Sequence, residues 1–237
     1  MSVKLLFPSY VFMRDFLGKD SHKDPSMTEE YFTMMRNEID QMERDDGAGR
    51  KVSNQNGWQS NDGIDRHPTF VKMMRGIKRL ISQEMMPMLG VKDNAYQIDM
   101  HNSWANKNYS GSWNAPHLHN GCFYSGVIYI HADGDEGNFR AIDTDFKIVG
   151  NFPPNAMMRE SWAVRPKTGM LLLFPSALMH MVEPNLTDKT RYSISFNFNV
   201  NLNAGSQPGD EAIEAMRENI KYEHLEFEID DNGDLIP

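Results

Sequence analysis

The 237-residue sequence holds one cysteine, Cys122, so no disulfide can form within the chain. That excludes a disulfide-stapled scaffold and points to a reducing, cytoplasmic setting. No hydrophobic run is long enough to cross a bilayer: the apolar stretch Met1–Phe16 is broken by Lys4, Pro8 and Arg14. Basic residues are in deficit. The net charge is -9 and the pI near 5.3. Phosphate backbones and anionic lipid surfaces repel such a chain, so neither nucleic acid nor membrane is expected as a partner. Gly-rich phosphate loops, dinucleotide fingerprints, paired-cysteine zinc patterns and internal repeats are also missing.

What is there reads as helices first and strands later. Ser26-Met27-Thr28-Glu29 has capping-box spacing and opens a helix to about Arg44, with Phe32, Met35, Ile39 and Met42 on one face. The polar stretch Asp45–Arg66 reads as a loop. A second helix is expected over Pro68–Met86, its methionines serving as core filler. Strands are expected from Tyr96, and at Cys122–His131, Met170–Phe174, Leu178–Glu183 and Arg191–Val200. A last helix is expected over Glu211–Lys221. The order predicts a mainly β fold with flanking helices, a barrel or sandwich carrying helices on one face. We expect one domain over 1–237: helical support to residue 94, a β core over 95–203, then a helix and acidic tail.

Three features in order carry chemistry. In Pro116-His117-Leu118-His119, residues two apart on an extended segment face the same way, so both imidazoles can reach one metal. His180 follows sixty-one residues after His119, a spacing that suits a ligand from a later strand. Three ligands on one side leave the opposite positions open, the arrangement of facial-triad iron oxygenases. Eleven residues past His180 comes Arg191-Tyr192-Ser193. Arg191, Ser193, Ser195, Asn197 and Asn199 occupy one face of that strand, and Tyr192, Ile194, Phe196, Phe198 and Val200 the other. A guanidinium forks onto a carboxylate, and Ser193 beside it can add a hydrogen bond.

These features, with Ser125–Ile130, Gly137 and Pro166-Lys167-Thr168-Gly169, resemble the double-stranded β-helix core of the 2-oxoglutarate/Fe(II) oxygenases. The likeness is to the prolyl 4-hydroxylase-like branch and to oxygenases of bacterial and phage type. Lys4–Pro8 and Trp104-Ala105-Asn106 resemble the latter group. The resemblance implies a jelly-roll, cupin-like barrel packed against the N-terminal helices. It implies a hydroxylase that uses Fe(II), 2-oxoglutarate and O₂, releases succinate and CO₂, and oxidises a C–H bond. His117, His119 and His180 then hold the metal, while Arg191, Ser193 and Tyr129 hold 2-oxoglutarate. Tyr129 faces the barrel lumen if Val127 and His131 share its face, and Trp104 and Asn106 line the substrate cleft. The substrate is a small molecule or a peptidyl group, and a homodimer is compatible with the reading. For a phage-borne chain the compartment is the host cytoplasm.

His119 departs from the pattern, since most relatives carry Asp or Glu there. Two alternatives are that water completes the site, or that a carboxylate such as Asp99 is brought in by the fold. Two other functions stay open. Gly111 with His117-x-His119 matches the start of a cupin metal motif, although the glutamate expected soon after is missing. A binding module without catalysis fits the same barrel. The long stretches Asp45–Arg66 and Thr144–Glu160 are expected to form lids or recognition loops.

Overall fold

The computed structural model describes residues 9–89, 96–144, 161–202, 228–229 and 235–236. The expected helix at Glu211–Lys221 and the segment Lys4–Pro8 lie outside the described residues, as does all but the first residue of Thr144–Glu160. Eleven strands build the barrel: β1 (Phe12–Asp15), β2 (Asn54–Gln55), β3 (Trp58–Gln59), β4 (Tyr96–Asn108), β5 (Trp113–His117), β6 (Tyr124–His131), β7 (Phe139–Ile142), β8 (Ser161–Val164), β9 (Met170–Pro175), β10 (His180–Val182) and β11 (Arg191–Leu202). They form two antiparallel sheets, a larger one ordered β1-β9-β6-β11-β4-β3 and a smaller one ordered β2-β5-β10-β7-β8. Helices α1 (Glu29–Asp45) and α2 (Val71–Leu80) belong to the N-terminal third. This is the double-stranded β-helix with flanking helices.

Side-chain alternation decides what each face meets. On β9, Leu171 and Leu173 join the helix-side core, while Met170, Leu172 and Phe174 join the core between the sheets. On β6 the same division separates Ile128 and Ile130 from Tyr129. On β11, Tyr192, Ile194, Phe196 and Phe198 pack toward the helices, with Met35, Ile39, Met73 and Ile77 in the same cluster. The opposite face, Arg191, Ser193 and Ser195, therefore looks into the space between the sheets, where it lines a cavity. That space is apolar along β9 and polar along β11. Gly126 on β6 sits under the Phe196 ring and Leu173, and a Cβ there would collide with both. Gly126→Ala is expected to lower stability by roughly 1–3 kcal/mol through overpacking. Chemical denaturation measures it, and an unchanged midpoint would refute the packing argument.

The structure moves several sequence-based boundaries. Helix α1 is capped by Thr28, whose Oγ1 accepts the Tyr31 N–H at 3.3 Å, and Ser26 instead donates to Asp24 at 2.8 Å. The second helix starts at Val71 because Pro68–Phe70 form a turn, with Phe70 N–H donating to His67 O. It continues through a π-turn at Ile81–Met85 to Met88. The stretch Asp45–Arg66 is no free loop. Its strand β2 pairs with β5 and its strand β3 with β4, so it joins one sheet to the other. Trp58 is buried there, and its Nε1 donates to Asp46 O at 2.7 Å. Strands β1, β7 and β8 are short and were not evident from alternation.

Candidate metal centre

The histidines meet through strand register. His117 on β5 is the direct cross-strand partner of His180 on β10, and their ring centroids lie 4.3 Å apart. His119 lies two residues beyond the end of β5, where its backbone N–H donates to Ser176 O at 2.9 Å. Its ring stands 5.0 Å from His117 and 5.2 Å from His180. Each of the three offers one nitrogen, and these atoms all lie within 4.8 Å of one another. Nitrogens bound to one ion at about 2.1 Å are at most about 4.2 Å apart, so a small inward turn of the rings closes the set.

Hydrogen bonds and burial set the state of the rings. Nδ1 of His117 lies 2.7 Å from Ala115 O, and Nδ1 of His180 lies 2.9 Å from Leu178 O. A carbonyl only accepts, so each Nδ1 carries the proton and each Nε2 keeps its lone pair free. Phe139 and Phe174 pack against the His180 ring at 5.4 and 4.8 Å. Burial pushes the pKa of His180 down to about 3 and that of His119 to about 4, with His117 adding to both shifts. Burial also lowers His117. The fold thus accommodates neutral imidazoles. As pH falls below the ordinary value of 6.5, the unfolded chain takes up protons that the folded site refuses until far lower pH. The metal-free protein should be fully stable above about pH 6.5 and lose stability progressively below it. Thermal melts at pH 7 and pH 5 test this, and a higher melting temperature at pH 5 would contradict it.

The same cavity contains Arg191, 2% exposed. Its Nη1 donates to Glu136 O and Gly137 O, both at 2.8 Å, while its buried Nε has no partner. Burial pulls its pKa down, yet a guanidinium stays charged in proteins. No aspartate or glutamate lines the cavity among the described residues. A buried cation without a carboxylate, next to three neutral imidazoles, fits a ligand that brings negative charge. Ser193 and Tyr129, register partners on β11 and β6, line the cavity beside it. Burial raises the Tyr129 pKa to about 12, against the pull of Arg191, so its hydroxyl remains a donor.

Trp104 and Asn106 on β4 both line the cavity, opposite Ser195 and Ser193 in register. Asn106 donates through Nδ2 to Ser195 Oγ at 3.2 Å, and its Oδ1 is buried without a partner. His131 does not share the lumen with Tyr129. The register slips between Tyr192 and Ser193, leaving Ile130 as an extra residue on β6, and His131 turns toward Tyr192 and Arg36. Asp99 is not in the site either: its oxygens accept from Gln97 and Asn201 at 2.8 and 2.7 Å. Sequence reasoning overlooked Ser53, Asn114, Phe139 and Ser176. Ser53 and Asn114 line the cavity from the β2–β5 side, and only their pairing with the ligand strand reveals them. Ser176 is the carbonyl that holds His119.

Fold and site together define a double-stranded β-helix whose cavity gathers three histidines that could hold a metal ion, beside a buried arginine. Residues 102–197 match the family model described as "Putative 2OG-Fe(II) oxygenase". The matched stretch carries all three histidines and Arg191. No curated protein matches the sequence. Among solved structures, a prolyl-4-hydroxylase of Pseudomonas putida is similar at TM-score 0.54 and 15% identity, over 81% of this chain and 92% of its own. HygX of Streptomyces hygroscopicus, solved with nickel, 2-oxoglutarate and hygromycin B, is similar at TM-score 0.52 and 13% identity, over 81% and 83%. A prolyl hydroxylase of Trichoplax adhaerens in complex with a hypoxia inducible factor peptide fragment is similar at TM-score 0.54 and 12% identity, over 83% and 85%. At these identities the likeness establishes the fold. No helix among the described residues is long and apolar enough to cross a membrane.

Proposed function

We propose that His117, His119 and His180 hold Fe(II), and that Arg191 grips the far carboxylate of 2-oxoglutarate with help from Ser193 and Tyr129. Bound there, iron with 2-oxoglutarate and O₂ supplies the oxidising power that hydroxylates a C–H bond and releases succinate and CO₂. The protein's part is to orient and to exclude water. The carbonyls of Ala115 and Leu178 hold two imidazoles in the ligating tautomer. The phenyl rings beside His180 keep that flank dry. The observation that carries the reading is Arg191, buried with an unpartnered Nε in the cavity that the three histidines line.

Trp104, Asn106, Ser53 and Asn114 offer the substrate one aromatic face and several hydrogen-bonding groups, suited to a small molecule or a peptidyl group. The solved relatives bound to hygromycin B and to a peptide fragment support that range. The acidic balance and the lone Cys122 fit a cytoplasmic enzyme that acts on neither nucleic acid nor membrane. A homodimer is compatible with this assignment.

The test is turnover without substrate. Purified protein with Fe(II), 2-oxoglutarate and O₂ should form succinate slowly, and omitting iron should stop it. Iron-loaded protein that neither binds 2-oxoglutarate nor yields succinate would overturn the proposal.

A further inference from the structure

The turn Asp133-Gly134-Asp135-Glu136-Gly137 has the composition of a cation-binding loop, yet its most unusual member faces inward. Glu136 is 0% exposed. No lysine or arginine lies within ion-pair distance of its carboxylate among the described residues. The carboxylate instead accepts the backbone N–H of Asp133 at 2.9 and 3.1 Å and that of Gly134 at 3.0 Å. It folds the turn back on itself from within. Asp133 and Asp135 point outward, where Lys189 pairs with both.

The carbonyls of Glu136 and Gly137 are what Arg191 donates to. Two bonds from one nitrogen use both of its hydrogens and fix the plane of the guanidinium. The edge left for a carboxylate is that of Nε and Nη2, two parallel donors. Nε has no other partner. Gly137 makes the turn feasible, with φ of +91° and no room for a Cβ against the Glu183 carbonyl.

We infer that Glu136 is a positioning residue for 2-oxoglutarate: by holding the 133–137 turn, its carboxylate presets the Nε/Nη2 edge of Arg191 for side-on capture of the distal carboxylate. The inference rests on Arg191 being the 2-oxoglutarate grip. Charge alone works in the opposite direction. Removing an anion near a cation strengthens the cation's hold on another anion, so a weaker grip on losing Glu136 reports lost geometry.

The experiment measures dissociation constants on Ni(II)-loaded protein without turnover, for 2-oxoglutarate and for 2-oxovalerate. The second ligand keeps the chelating end and lacks the distal carboxylate. In Glu136→Ala, 2-oxoglutarate affinity should fall about tenfold or more while 2-oxovalerate affinity holds. Glu136→Gln keeps one acceptor oxygen for the turn, so its loss should be smaller, and it serves as the folded variant if alanine unfolds the chain. An unchanged affinity ratio in both variants overturns the inference, as does equal weakening of both ligands, the mark of general damage. Arg191→Ala is the control. If it leaves the ratio at the wild-type value, the 2-oxoglutarate grip itself is misassigned. If it collapses the ratio while the Glu136 variants do not, the positioning role alone fails.

Discussion

His180→Ala should empty the metal centre, lowering iron affinity by at least about a hundredfold. Losing a partner that merely orients a ligand already costs about 10–100-fold, and His180 is proposed as a ligand itself. It stands opposite His117 in register, 4% exposed, with Nδ1 held by a carbonyl. Alanine leaves two nitrogens and an apolar gap beside Phe139 and Phe174, which water fills poorly. Metal content after dialysis and a competition titration against a chelator give the number. Wild-type affinity in this variant would remove His180 from the site. His119→Asp in the same assay should keep the metal, because a carboxylate there restores the donor set of two imidazoles and one carboxylate.

Arg191→Ala should weaken 2-oxoglutarate binding by about 2–5 kcal/mol, roughly thirtyfold to several thousandfold. The range is large because the guanidinium is buried, and water cannot stand in for it. The substitution also leaves the Glu136 and Gly137 carbonyls without their donor. Some destabilisation will follow, and melting curves measure it separately. Titration of metal-loaded variant with 2-oxoglutarate gives the binding loss directly. Affinity within threefold of wild type would show that the distal carboxylate sits elsewhere.

Much of this site was legible in the chain because strand periodicity carries side-chain direction without any tertiary knowledge. The alternation over Arg191–Val200 put Arg191 and Ser193 on one face, and the structure gives that face to the cavity. Where periodicity breaks, the reading failed. His131 was grouped with Tyr129, and a single extra residue, Ile130, sends it to the opposite side of the sheet. The helix cap moved from Ser26 to Thr28 because Asp24 claims the Ser26 hydroxyl, a local competition that motif spacing does not encode. The polar segment 45–66 misled by composition: strands β2 and β3 have two residues each, too few to alternate, and only pairing partners far along the chain define them. Asn114 and Ser53 were hidden for the same reason.

The ligand geometry has a consequence for how the protein is kept in the cell. His117 and His180 come from strands far apart in sequence and meet at one cross-strand pair, while His119 hangs from the Ser176 carbonyl. An ion on all three would clasp β5 and the segment just after it to β10. Whatever binds only the folded form stabilises it, with the logarithm of its concentration once that exceeds the dissociation constant. On the proposed assignment, metal supply would set not just how many molecules are active but how long each survives, since the unclasped chain opens more often to proteases.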